Sequence, residues 1–280
     1  MKHSLRITLL LTLLFFASQL IGLFIINDYL TITTTIVDGK TYRNATWSEL
    51  PYDIQRPAFE EDTSFIPLIL IVLIATGAVL LIVRFGLARL WKLWFFLSVW
   101  FCLLLAFNSF IPRTASLLIS LLLAALKILK PHVLLHNLTE LFIYGGLATV
   151  FVPVLNVMSI LILLALISVY DMYAVWKSKH MIALATYQTQ MKVFAGLLIP
   201  YQKKTAVLGG GDIGFPLLFA GVLLKTYGPL PALLVALTAT LSLLILLFFS
   251  KKNTYYPAMP FLTLGCVAGY LLSLALSLQA

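Results

Sequence analysis

Two aspartates stand inside stretches of sequence apolar enough to lie within a lipid bilayer. Asp171 occurs in "ISVYDMYAV", and Asp212 follows three glycines in "VLGGGDIGFPLLF". An ionised carboxylate at membrane depth costs at least about 2.5 kcal/mol on insertion scales. Two such residues therefore indicate a function, since a pair of carboxyl groups can supply both a general base and a general acid.

The composition of the whole chain is that of a membrane protein. Of its 280 residues, 61% are hydrophobic and only 10% are charged, and the mean hydropathy is +1.03. Globular domains carry about a quarter charged residues. Because no polar stretch is long enough to form a separate soluble domain, residues 1–280 are predicted to form a single membrane domain.

Nine candidate membrane spans follow when charges and prolines are used as boundaries, since a crossing helix needs about 20 mostly apolar residues. The predicted fold class is therefore an all-α polytopic membrane protein. Spans one to six fall within 1–176 with an outer loop at 27–64, a connecting loop occupies 177–204, and the last three spans lie in 205–280. The predicted limits are Leu5 to Ile26, Phe65 to Val83, Leu93 to Ile111, Ala115 to Leu129, Leu138 to Phe151, Val154 to Trp176, Thr205 to Leu224, Pro229 to Ser250 and Phe261 to Leu278.

The basic residues predict the orientation, because loops rich in Lys and Arg stay on the cytoplasmic side. With a cytoplasmic N-terminus, only five of the 19 Lys and Arg residues lie outside: Lys40, Arg43, Arg56, Arg113 and Lys225. This split predicts an N-terminus in the cytoplasm and a C-terminus outside. Topology then explains most of the net charge of +9, and no nucleic-acid partner is expected.

The two aspartates share a predicted depth. With a rise of 1.5 Å per residue, Asp171 lies about 9 Å and Asp212 about 12 Å from the cytoplasmic boundary. The sixth and seventh spans run in opposite directions, so the two carboxyls can meet around one water molecule. Such a pair holds a single proton, and one member can activate water while the other protonates a leaving amine. The alternative is that each aspartate joins helices or lines a proton pathway.

Glycines and prolines mark two further segments at this depth. Gly209, Gly210 and Gly211 carry no side chains, so another backbone can approach closely. The approaching chain is either a peptide substrate or a packed helix. In "YYPAMPF", Pro257 and Pro260 lack backbone donors, which predicts a non-helical segment near the aspartates. A proline cap on the ninth helix is the alternative.

Taken in order, these motifs resemble those of the presenilin and signal peptide peptidase family of intramembrane aspartyl proteases. Tyr170 and Asp171 form its YD motif, and "GGGD" at Gly209 to Asp212 matches its G-x-G-D motif. "PAMP" resembles the Pro-Ala-Leu motif, with Met259 in the leucine position. The likeness covers all nine spans, and the compact length is similar to that of microbial or archaeal homologues.

The resemblance implies a presenilin-like fold and an endopeptidase that cleaves transmembrane helices of other proteins. It makes Asp171 and Asp212 catalytic, and it places the substrate at Tyr170, Gly209, Gly210, Gly211, Pro257, Ala258 and Met259. Extended segments would hold an unwound substrate by strand addition. The expected partners are substrate helices and the lipid bilayer, with no cofactor and no metal; an oligomer is possible but not evident. The chain would be a multi-pass protein of the cell membrane if its source is prokaryotic, and its presenilin-like orientation implies substrates with an outer N-terminus.

Two other functions use similar residues. A proton-coupled transporter or cation channel would use the aspartates as relay groups, and an inverted repeat between the halves would support it. No such repeat is evident in the sequence. Prepilin peptidases share the G-x-G-D aspartate, but they should lack the late "PAMP".

A cluster before the fifth span has two interpretations. His132, His136 and Glu140 fall on one helical face, which could bind a metal. The favoured interpretation is that Asn137, with Glu140 three residues later, caps the fifth helix.

Remaining features predict structure alone. Cys102 and Cys266 are interpreted as free packing residues, and "GCVAG" predicts close helix packing at Gly265 and Gly269. β-Branched and polar residues alternate early in the outer loop, which predicts a short hairpin. The connection at 177–204 is partly amphipathic, so it is either a gate lying on the membrane or an ordinary surface loop.

Overall fold

Nine α-helices make up most of the chain that the structure describes, a computed structural model covering residues 4–37, 40–177, 193–201, 204–251 and 254–277. The predicted number of helices is thereby confirmed. Seven of the helices are long and apolar enough to cross a membrane, all except α4 and α7. The helices are α1 Leu5–Tyr29, α2 Phe65–Arg84, α3 Ala88–Phe107, α4 Arg113–Leu129, α5 Val133–Phe151, α6 Val157–Met172, α7 Gly210–Tyr227, α8 Pro229–Phe249 and α9 Met259–Ser277.

Helix α5 begins earlier than predicted. Its first residue is Val133 and its N-cap is His132, so Asn137 lies inside the helix. The prediction that Asn137 caps this helix is therefore wrong. Polar side chains at the start of the span suggested a boundary, whereas the structure uses them as contacts to a neighbouring hairpin.

Two antiparallel hairpins accompany the helices. Strands β1 Leu30–Val37 and β2 Lys40–Trp47 form the predicted hairpin of the outer loop. The second hairpin, β3 Gly196–Tyr201 and β4 Lys204–Gly209, was not predicted. Residues 205–209, expected to begin the seventh span, are therefore strand. Within the predicted connection at 177–204, residues 178–192 and 202–203 lie outside the described residues. The two predictions for this connection, a gate lying on the membrane or a surface loop, fall mainly on that part of the chain.

Two contacts at one end of the bundle join the loop before α2 to the turn before α6 and to the end of α7, which were predicted to lie on the same side of the membrane. Asn156, the N-cap of α6, donates a hydrogen bond to Asp62 over 2.5 Å. Lys225, near the C-terminal end of α7, binds Glu61 with an Nζ–Oε1 distance of 3.0 Å. The beginning of α6 and the end of α7 therefore lie at the same end of the bundle as this loop, and the hairpin β3–β4, which precedes α7, lies at the opposite end of that helix.

Helix α7 occupies the centre of the bundle. It contacts α1, α5, α6, α8 and α9, and every residue from Pro216 to Lys225 is buried. In α2, by contrast, only Leu68 and Ile82 are buried. Helix α2 thus lies at the rim, while the helix that carries Asp212 is enclosed by protein.

Helices α8 and α9 pack closely through the two glycines of "GCVAG". A Cβ atom at Gly265 would lie 2.8 Å from the Thr238 carbonyl oxygen, and one at Gly269 would lie 2.8 Å from the Cα of Val235. The predicted close packing is confirmed. Cys102 and Cys266 are both free and buried, in agreement with their interpretation as packing residues.

Candidate active site

Asp171 lies in the last turn of α6, where its carboxylate meets the beginning of α9. Its Oδ2 atom accepts a hydrogen bond from the backbone N–H of Met259 over 3.1 Å, and the backbone N–H of Ala258 donates to the same carboxylate. The first N–H groups of a helix have no partner within that helix. Asp171, only 6% exposed, therefore caps α9 from a neighbouring helix.

Asp212 is the third residue of α7, directly after the strand-to-helix junction. The helix has Gly209 as its N-cap, and the backbone N–H of Gly209 donates to the Asp212 carboxylate. An acidic third residue that accepts from the N-cap amide forms one half of a capping box. This local bond positions the carboxyl close to the hairpin, because β4 ends at the residue where α7 is capped.

The structure brings the two aspartates to a single cavity. Both line a space of about 690 Å³ whose other lining residues are mainly apolar. The end of α6 and the beginning of α7 supply them. Two carboxyls that face one cavity in a poorly solvated region favour sharing a single proton over being ionised together.

Most of the residues predicted for substrate binding surround the same cavity. The predicted residues that line it are Tyr170, Gly209, Gly210, Gly211, Ala258 and Met259. Pro257 is buried and does not line the cavity. Its neighbours Ala258 and Met259 line the cavity, and their backbone N–H groups face Asp171.

The three glycines before Asp212 differ in the space around them. A Cβ atom at Gly209 would lie 3.2 Å from Oδ2 of Asp212, and one at Gly210 would lie 2.8 Å from the Tyr144 hydroxyl oxygen. At Gly211 the nearest atom would be in the Phe215 ring, 3.6 Å away. A side chain at Gly210 would clash with Tyr144 and one at Gly209 would crowd Asp212, whereas Gly211 leaves bare backbone beside the cavity.

Sequence reasoning missed the wall that α3 and α5 contribute to the cavity. Trp91 and Trp94 line it from α3, and Glu140 and Tyr144 line it from α5. The tryptophans gave no signal, because aromatic residues are spread over an apolar chain. Glu140 did carry one, since it is the third acidic residue outside the outer loop.

The metal interpretation of the histidine cluster is not supported. His136 contacts the carbonyl oxygen of Gly196 over 2.7 Å, and Glu140 binds Lys127 with an Nζ–Oε1 distance of 2.5 Å. Among the described residues, no group of three or more His, Cys, Asp or Glu side chains is arranged to hold a metal ion. Lys127, counted as a cytoplasmic loop charge, is instead buried against Glu140.

A family model supplies the deciding comparison. The model for signal-peptide peptidase, presenilin aspartyl protease matches residues 51–211, which is more than half of the chain and includes Asp171. The chain belongs to this family. It is accordingly a multi-pass intramembrane aspartyl protease, a hydrolase whose targets are transmembrane helices. The transporter alternative receives no support.

Solved structures share the fold of this presenilin-family protease. A presenilin family intramembrane aspartate protease in space group C222 has a TM-score of 0.65 at 19% identity, covering 96% of this chain and 99% of that one. A structure of a presenilin family intramembrane aspartate protease in space group P2 has a TM-score of 0.66 at 20% identity, covering 95% and 96%. No curated protein sequence matches the chain.

Proposed function

We propose that Asp171 and Asp212 form the catalytic dyad with which this protease hydrolyses peptide bonds inside transmembrane helices. The observation that supports the proposal is that both carboxyls line one cavity. The ionised aspartate takes a proton from water while the water oxygen bonds to the scissile carbonyl carbon. The protonated aspartate donates a hydrogen bond to the carbonyl oxygen.

The second half of the reaction uses the same two groups. The tetrahedral intermediate collapses, the C–N bond breaks, and a proton from the dyad passes to the leaving nitrogen. One peptide bond and one water molecule thus give a carboxylic acid and an amine, and the dyad returns to its single shared proton. Because the two carboxyls titrate as a unit, the proton is assigned to the pair.

Asp171 is held for this role by the beginning of α9. Two backbone N–H groups, from Ala258 and Met259, fix the carboxylate without using another side chain. Backbone donors cost little reorganisation during a reaction, since they are already oriented in the resting protein. The late proline-containing motif therefore acts on the catalytic carboxyl through its backbone, and Pro257 keeps the segment before α9 out of helical conformation.

The substrate is proposed to bind as an extended segment beside β4. An intact helix encloses its peptide groups in its own hydrogen bonds, so it must unwind before water can attack. Val207, in the middle of β4, is 41% exposed and lines the cavity, and Gly211 offers bare backbone nearby. A strand added to β4 would satisfy the polar groups of the unwound segment.

The distribution of basic residues supports an N-terminus in the cytoplasm, and with it substrates whose own N-terminus lies outside. One transmembrane peptide, inserted in vesicles in both orientations, tests this. Faster cleavage of the outer-N-terminus form is expected, and a preference for the reverse form would overturn the orientation.

Single replacements of the aspartates test the dyad. In purified protein reconstituted in lipid vesicles, Asp171→Asn and Asp212→Asn should each lower cleavage of a transmembrane peptide by about a thousandfold or more. Glu49→Gln, at an exposed acid of the outer loop, is the matched control and should keep full activity. Proteolysis at the control rate in either aspartate variant would refute the assignment.

A further inference from the structure

The edge of β3 that does not pair with β4 is hydrogen-bonded to side chains of α5. Strand edges normally carry unpaired backbone groups that can bind another strand. Here the N–H of Gly196 donates to Glu140 over 2.9 Å, and its carbonyl oxygen lies 2.7 Å from Nε2 of His136. The N–H of Leu198 donates to Oδ1 of Asn137 over 2.9 Å, and its carbonyl accepts from Nδ2 of Asn137 over 2.7 Å. Four successive edge groups are therefore satisfied by a helix.

The register of the hairpin shows which edge remains. In an antiparallel pair, the N–H and C=O groups of one residue point to the same side, and neighbouring residues alternate. Because Gly196 and Leu198 face α5, Leu197 and Ile199 bond to β4. Their opposite residues are Leu208 and Ala206. The residue between these, Val207, directs its backbone groups away from β3, toward the edge of β4 that borders the cavity.

Glu140 is held in place by an extensive polar cluster. It is 1% exposed, and it accepts from Lys127 over 2.5 Å, from the Tyr144 hydroxyl and from the Gly196 N–H. Lys127 in turn donates to the Thr139 hydroxyl over 2.8 Å. A buried ion pair is a poor source of stability compared with apolar packing. Its directed bonds to the β3 edge give it a use that apolar side chains would not have.

The same cluster reaches the beginning of α7. The Tyr144 hydroxyl lies against Gly210, where a Cβ atom would be only 2.8 Å away. Asp212 follows two residues later. One group of side chains thus contacts both the strand next to β4 and the first residue of the helix that carries the second aspartate.

We propose that this cluster, the α5 clamp, is a positioning device for cleavage. Its members are Lys127, His136, Asn137, Glu140 and Tyr144. By closing the β3 edge, the clamp leaves β4 as the edge of this hairpin to which a substrate strand adds. By fixing the hairpin against the beginning of α7, it sets which substrate peptide bond lies at Asp212. The inference rests on the proposed function, and it assigns no chemical step to the clamp.

Asn137 offers the sharpest test, because it makes both bonds to Leu198 without carrying charge. Asn137→Leu has a similar volume and removes both bonds. Asn137→Gln keeps a donor and an acceptor. Thr149→Val is the matched control at the other end of α5, where the hydroxyl bonds only the Gly146 carbonyl. Each variant is reconstituted with one transmembrane peptide, and the products are identified by mass spectrometry while kcat and KM are measured.

We expect Asn137→Leu to cleave at additional neighbouring bonds and to lower kcat by about tenfold to a hundredfold, because a displaced peptide bond reacts slowly. Asn137→Gln should recover much of the wild-type pattern, and Thr149→Val should match the wild type. Cleavage by folded Asn137→Leu at the wild-type bonds and rate would overturn the clamp. Should that variant fail to fold, His136→Leu, which loses the contact to the Gly196 carbonyl and the imidazole beside Glu140, is judged by the same two outcomes.

The result is separable from a failure of the dyad. If Asp171→Asn or Asp212→Asn remains active, the proposed function fails, whatever the result for the Asn137 variants. If those variants are inactive and the Asn137→Leu product pattern is unchanged, the dyad stands and the clamp alone is refuted.

Discussion

The Asp171 carboxylate and the Met259 backbone N–H lie 3.1 Å apart, so a residue at the end of α6 caps the beginning of α9. This contact joins two of the motifs that the sequence places nearly ninety residues apart, at roughly the same membrane depth by the helical rise. It also gives Asp171 a structural use in addition to its proposed catalytic one. The two uses can be separated by experiment.

Replacement of Asp171 by Asn and by Ala separates capping from catalysis. Asp171→Asn keeps an acceptor for the α9 amides but not an ionisable group, so it should be inactive and nearly as stable as the wild type. Asp171→Ala should be inactive and also less stable by about 1 kcal/mol, the usual cost of a lost helix cap. Unfolding in detergent and peptide cleavage measure the two effects. Activity in Asp171→Asn, or equal stability of the two variants, would contradict this account.

Alanine at Gly210 and at Gly211 should have different consequences. Gly210→Ala places a Cβ atom against the Tyr144 hydroxyl, so it should destabilise the protein, and Tyr144→Phe in the same chain should relieve much of that cost. Gly211→Ala has room within the protein and should fold normally, yet raise KM because its methyl group faces the cavity. Thermal unfolding and cleavage kinetics of the three variants test this. An unchanged KM in Gly211→Ala would show that no substrate backbone approaches there.

Removal of the Lys127 charge should lower the free energy of unfolding. Lys127→Met leaves the Glu140 carboxylate buried without its counter-ion, which typically destabilises a protein by about 3–5 kcal/mol. Adding Glu140→Gln should restore much of the loss, because the buried charge is then gone. Lys130→Met, at an exposed neighbour, is the control and should change little. Equal unfolding free energies for Lys127→Met and Lys130→Met would argue against the pair as drawn.

Two glycines in different helices give a matched pair for packing. Gly269→Ala inserts a methyl group 2.8 Å from the Cα of Val235 and should destabilise the α8–α9 contact by about 1–3 kcal/mol. Gly77→Ala in α2 meets no atom within 4 Å and should stabilise the helix by about 0.5–1 kcal/mol. Unfolding of both variants in one detergent gives the comparison. Changes of the same sign would be inconsistent with the tight α8–α9 contact.

The helices and the two aspartates could be predicted because their signals are local. Each span is a long apolar run, and an acidic residue inside such a run is visible without any neighbour. The depth of Asp171 and Asp212 followed from counting residues to Lys177 and Lys204.

The hairpin β3–β4 could not be predicted in the same way. A short stretch such as "KTAVLG", with only three consecutive apolar side chains, is compatible with a strand or with the beginning of a helix. The choice of strand is decided by the pairing of β3 with β4 and by the contacts that Asn137, His136 and Glu140 make to the edge of β3. These three residues are distant in sequence from the hairpin. The same holds for Lys127 and Glu140, whose pairing depends on how α4 packs against α5. Read alone, they looked like a boundary charge and a helix cap.

The far end of α7 is fastened in a way that bears on how the enzyme adjusts to its substrate. Lys225 binds Glu61 over 3.0 Å and the Pro153 carbonyl over 3.1 Å, and the ten residues up to it are surrounded by other helices. Because this length of α7 is enclosed and its far end is fixed, we expect the unwound substrate to adjust its position to Asp212, and α7 to stay in place.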